Sequence, residues 1–158
     1  MKQWITFILG FLSFLAVALM IAVIVAGNKP YSEVEKQAIE RVENDFLLED
    51  IQQAYVYSNK QTSVTVIGTD SKGALKAVFV PAGKGELKTV PLEGAVTPQQ
   101  AREIALADKD IKEILHTKLG MESKGPVWEI AYVNKQDQLN YIYILANDGT
   151  TWKQILNL

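Results

Sequence analysis

The sequence contains no cysteine and a single histidine, His116. Disulfides, thiolate metal sites, a thiol nucleophile and a lipid-modified cysteine are thereby excluded, and a multi-histidine metal site with them. Positive charge is not in excess: 18 Asp and Glu stand against 16 Lys and Arg, a formal net charge of −2 at pH 7. Without a basic stripe there is no electrostatic footprint for nucleic acid. No serine lies in a GxSxG context, and Gly83-Lys84-Gly85 is too short for a phosphate loop and opens no predicted helix. The close carboxylates Glu43 and Asp45, Glu49 and Asp50, and Asp108 and Asp110 read as solvated charge at helix ends or on polar faces. No catalytic residue, cofactor or metal is assigned, and the chain is read as a non-enzyme.

One long uncharged run is present, Trp4 to Ala26, 23 residues. As a helix rising ~1.5 Å per residue it would span ~34 Å, a little more than the ~30 Å hydrocarbon layer of a bilayer. The apolar core of a cleaved signal peptide usually runs ~7–15 residues, so a retained single-pass anchor is expected in residues 1–28. Lys2 and Lys29 flank the run and nearly balance. The three-residue head is nonetheless easily left in the cytoplasm, which places the C-terminal remainder outside the cell membrane. That remainder, from residue 27 onward, carries all 18 acids and 15 of the 16 bases, a charge of −3, and can form one mid-sized domain or two small ones.

After Asn28, Lys29 and Pro30, Ser32 to Glu35 reads as a capping box. Val34, Ala38, Val42 and Phe46 then repeat every four residues, with Ile39 beside them, as in an amphipathic helix of about four turns. From Ile51 the period becomes two, predicting strands over 51–57, 62–69 and 74–80. Residues 29–81 are thus expected to form a first α+β unit. Residues 82–96, with Gly83, Gly85, Gly94 and Pro91, read as a linker with room for a short strand at 87–90.

Thr97, Pro98 and Gln100 give the clearest helix start in the chain. Ala101, Ile104, Ala105, Ile111, Ile114, Leu115 and Leu119 continue as a helical stripe stopped by Gly120, with a kink or break near Asp108. His116 then falls near a helix C-terminus, where an imidazolium suits the helix dipole. Strands follow over 127–133, 139–146 and 150–156, so residues 97–158 repeat the order of the first unit. Tyr57, Asn59, Lys60 and Gln61 echo Tyr132, Asn134, Lys135 and Gln136, each set expected between the first and second strands of its unit.

Tyr141 and Tyr143 lie on one face of their strand, Ile142 and Ile144 on the other. Trp128 and Tyr132 share a face of the neighbouring strand, and Trp152 joins them in one register. Since both faces are apolar and one helix covers only one, Trp128, Tyr132, Tyr141, Tyr143 and Trp152 form either an inter-unit core or a candidate partner surface.

The second unit resembles a PepSY domain in Thr97 to Leu106, Val127 to Tyr132, Tyr141 to Ile144, Asn147-Asp148-Gly149 and Trp152. With its anchor and preceding unit, the chain resembles the YpmB/TseB family of Bacillota, with tandem cystatin-like or PepSY-like helix-on-antiparallel-sheet units. That resemblance implies a membrane-anchored regulator of cell-wall elongation that binds a class B penicillin-binding protein. The PepSY likeness alone implies a module that restrains an extracytoplasmic peptidase. Neither resemblance carries catalytic residues.

Overall fold

The computed structural model describes residues 13, 15, 17, 33–59 and 61–158. The run from Trp4 to Ala26, apart from those first three residues, and the capping serine at 32 lie outside them. Among the described residues no helix is long and apolar enough to cross a membrane.

Two α+β units follow in order. Helical residues 33–44 (α1) precede β1 (Asp50–Ser58), β2 (Thr62–Thr69), β3 (Leu75–Pro81) and β4 (Lys88–Pro91). Helix α2 (Pro98–Leu106) precedes β5 (Ile111–Glu122), β6 (Gly125–Asn134), β7 (Leu139–Leu145) and β8 (Thr151–Ile155). Each sheet is a four-stranded antiparallel meander in sequence order.

The first sheet is buried on both sides, which explains why β2 and β3 read as nearly continuous apolar runs. Val64, Val66, Val78 and Val80 pack under Ala38 and Val42 of α1. Ile67, Ala77 and Phe79 turn the other way, into a core shared with Leu119, Trp128, Ile130, Ile142 and Ile144 of the second sheet and Ala101 and Ala105 of α2. β4 falls inside the stretch expected to be a linker and pairs with β3 from Lys76 to Phe79. Its four residues end in Pro91, and a short edge strand closed by proline offers little to an incoming chain.

The second helix is much shorter than expected. The Thr97 capping box is formed as predicted, Gln100 N–H donating to Thr97 Oγ1 at 3.2 Å and Thr97 N–H to Gln100 Oε1 at 2.9 Å. The helix nevertheless ends at Leu106, and Asp108 takes a left-handed φ of 59°. Residues 111–122 form a strand, and its irregularities account for the helical appearance. Register shifts between Ile111 and Glu113 and between Ile114 and His116 mark two bulges. With each bulge adding one residue, Ile111, Ile114 and Leu119 all face the same side, opposite Asn134, Tyr132 and Trp128. A twice-bulged strand thus copies the three- and eight-residue spacing of a helix. His116 accordingly belongs to β5, opposite Ala131, and not to a helix end.

Two further expectations change. Phe46 does not continue the α1 stripe: it is 91% exposed, while Leu47 and Leu48 turn inward. The shared tyrosine–asparagine motif also loses its equivalence, because β5 adds a strand. Its first copy turns β1 into β2, whereas its second turns β6 into β7. The repeat is one of element order, helix then four strands.

Candidate functional site

Alternation along β6 and β7 decides which aromatic side chains meet. Trp128 and Tyr132 face α2, where both are buried, and Trp128 Nε1 donates to the carbonyl of Val96 at 2.7 Å. Tyr141 and Tyr143 stand opposite Ala131 and Glu129, on the other face of the sheet. Trp152 joins that second group through a register shift in the β7–β8 pairing, its ring 6.0 Å from that of Tyr143 and nearly perpendicular at 79°. The five aromatic residues are therefore divided: Trp128 and Tyr132 serve the core beneath α2, while Tyr141, Tyr143 and Trp152 lie together on the opposite face.

That second face holds a group of polar side chains that sequence reasoning missed. Glu129 is buried, and its Oε1 lies 2.8 Å from Nε2 of His116. The His116 ring lies 6.4 Å from that of Tyr141, and Lys153 Nζ is 5.5 Å from the centre of the Tyr143 ring. Burial raises the Tyr143 phenol above its ordinary range, and the negative charge of Glu129 raises it further. Assignment of residues 111–119 to a helix hid the His116 pairing. The available signal was Glu129 itself, a lone charge between Trp128 and Ile130 in an otherwise buried strand.

His116, Glu129, Tyr141 and Tyr143 line a cleft of about 570 Å³ whose other walls include Glu35, Val56, Ser58 and Asn59 of the first unit. The cleft exists because the two sheets are locked together. Lys118 Nζ donates to the carbonyl of Val56 at 3.0 Å, and Tyr57 OH and Asn59 Nδ2 both donate to Glu122 Oε1, at 2.9 and 2.7 Å. Ser58 Oγ lies 3.1 Å from Thr62 Oγ1, so the cleft's serine is engaged along its own hairpin. Among the described residues no three His, Cys, Asp or Glu side chains gather to hold a metal. A clamped carboxylate beside half-exposed aromatic rings suits recognition of another surface.

Residues 37–81 match the family described as the cell wall elongation regulator TseB-like domain. A curated relative, the probable cell wall elongation regulator TseB of Bacillus subtilis (strain 168), is 26% identical over 147 residues, 92% of this chain and 89% of the relative. Among solved structures, the YpmB protein from Bacillus subtilis has a similar fold, with a TM-score of 0.67 and 23% identity over 77% of this chain and 96% of that one. The family match falls on the first unit, whereas the residues of the PepSY resemblance lie in the second.

Proposed function

We propose that this chain, which its similarities group with the YpmB/TseB family, is a membrane-anchored regulator of cell-wall elongation that contacts a class B penicillin-binding protein. The observation that carries this reading is the alignment with a probable cell wall elongation regulator along 92% of the chain. The family description names regulation and not a reaction, which accords with a binding role.

In this reading Trp4 to Ala26 holds the protein in the cell membrane, with the two units outside. Only five residues, 27–31, separate the end of that run from Ser32, so the first unit stays near the bilayer. Tethering raises the effective concentration of the units toward another membrane protein without any new contact. Tyr141, half-buried at the cleft, and Trp152, half-buried against the Tyr143 ring, offer aromatic contact area to the synthase, with Tyr143 and Glu129 behind them.

The test is affinity capture of the full chain from host membranes after brief crosslinking, with fluorescent penicillin marking the synthases. A labelled class B protein should be recovered, and Y141S should reduce its recovery while the circular dichroism spectrum stays unchanged. Capture without any labelled class B protein overturns the proposal.

A further inference from the structure

Helix α1 ends in a pattern that ordinarily selects glycine. Leu47 N–H donates to the carbonyl of Val42 at 3.1 Å and Phe46 N–H to that of Glu43 at 3.0 Å. These are the paired bonds of a Schellman stop, and they put Phe46 in the left-handed region at φ 53°. A Cβ in that region crowds the following carbonyl, and a bulky aromatic residue is rarely found there. The fold receives nothing in return, since the Phe46 side chain is 91% exposed.

Its surroundings are acidic. Glu43, Asp45, Glu49 and Asp50 are all exposed, and residues 43–50 contain no Lys or Arg. Among the described residues none of these four carboxylates has an ion pair. The lysine beyond β2, Lys76, is already paired with Asp70 at 2.6 Å. Single exposed apolar residues are common and need no explanation. Here an aromatic residue occupies a strained position in a stretch with four exposed carboxylates that form no ion pair among the described residues, so both backbone and solvation favour another residue.

We propose that Phe46 is the anchor of a protein contact, and that its occupant is a pocket on the partner with an apolar floor and a rim of Lys or Arg. The contact rests on the reading of this chain as a binding protein, and extends it with a second surface. β1 runs from Asp50, near the end of α1, to Ser58 at the cleft, a strand length of ~26 Å at ~3.3 Å per residue, so the two surfaces lie at opposite ends of β1. Charge complementarity chooses the occupant: an anionic lipid surface repels the four carboxylates, whereas a basic-rimmed pocket neutralises them as the ring enters.

The experiment uses the full chain in host membranes, with p-benzoylphenylalanine introduced at position 46 for photo-crosslinking, alongside F46G and the quadruple variant E43Q/D45N/E49Q/D50N. F46G should raise the thermal midpoint of the protein by about 2–4 °C, because glycine fits the left-handed position. The same variant should lower partner recovery at least tenfold. The position-46 adduct should map to an apolar segment flanked by Lys or Arg, and the quadruple variant should abolish it.

An adduct with a penicillin-labelled synthase supports both the anchor and the proposed function. An adduct of the stated chemistry on a different membrane protein supports the anchor and overturns the synthase assignment. Synthase recovery unchanged by F46G, with no protein adduct at position 46, overturns the anchor and leaves the proposed function standing. Adducts to lipid alone, or a lowered thermal midpoint for F46G, overturn the anchor. No synthase and no adduct overturns both.

Discussion

The backbone N–H of Leu119 donates to the hydroxyl of Tyr55 across the junction of the two units, at 2.8 Å. Leu119 lies on β5, the edge strand of the second sheet, and its carbonyl in turn accepts from Thr65 Oγ1 at 2.7 Å. Edge strands carry unpaired backbone groups that invite other chains. Here side chains of the first sheet satisfy both groups of one edge residue, so the edge becomes part of the joint. Burial pushes the Tyr55 phenol up to about 12 despite the opposing effect of the Leu119 N–H.

Removing either hydroxyl should therefore cost more than an ordinary surface hydrogen bond. Y55F leaves the Leu119 N–H without a partner, and T65V, which keeps the side-chain shape, does the same to its carbonyl. An orphaned buried backbone group costs about 1–3 kcal/mol. Urea denaturation should show each variant destabilised by that amount, with a single transition in the wild type. A loss below about 0.5 kcal/mol in both variants would mean that water replaces the hydroxyls and that the joint is loose.

Much of the first unit was legible in the sequence because its strands obey simple alternation and its turns are marked. The strands expected over 51–57, 62–69 and 74–80 correspond to Asp50–Ser58, Thr62–Thr69 and Leu75–Pro81. β5 was not legible, because two bulges moved Ile114 and Leu119 into helical spacing. The stop of α1 at Phe46 was hidden for a different reason: a left-handed helix end is signalled by glycine or asparagine, and phenylalanine carries no such signal. At the candidate site the aromatic residues were named from their strands. Their division between two faces, and the His116–Glu129 pair, required the register to be known.

Gly120 admits no side chain. A Cβ built on it would lie 2.2 Å from the Tyr57 ring, which covers this part of the second sheet and donates to Glu122. G120A should therefore push Tyr57 aside, break its contact with Glu122 and destabilise the protein by about 1–3 kcal/mol, as overpacking does. Thermal unfolding gives the loss, and the Tyr57 ring signals in NMR give its location. If G120A unfolds at the wild-type temperature with those signals unmoved, the ring is not held against the glycine.

Asp70 should control an acid-side loss of stability. Its carboxylate accepts from Lys76 Nζ and from the backbone N–H groups of Ala74 and Lys72, and these bonds, the lysine's first, hold its pKa at about 2. An unfolded aspartate titrates near 3.9, so protonation favours the unfolded chain as the pH drops. The stabilisation is complete above about pH 4 and disappears as the pH falls through 2. D70N lacks it at every pH, so the stability gap between wild type and D70N should close between pH 4 and pH 2. A gap that stays constant through that range would show that Asp70 does not titrate in the folded protein as its bonds require.

Glu129 and Tyr143 set the corresponding limit at high pH. The folded-state phenols of Tyr143 and Tyr57 are raised chiefly by burial, with Glu129's charge a further cause for both. An unfolded tyrosine ionises near 10. The stabilisation from neutral phenols is therefore complete below pH 10 and falls away as the pH climbs through the folded-state values. Y143F should retain more of its stability between pH 10 and pH 12 than the wild type does. E129Q should lower the Tyr143 phenol only partway in an ultraviolet titration, because burial remains when the charge is gone. A return of that phenol to near 10 in E129Q would reverse the order of causes and show that Tyr143 is more open to solvent at the cleft.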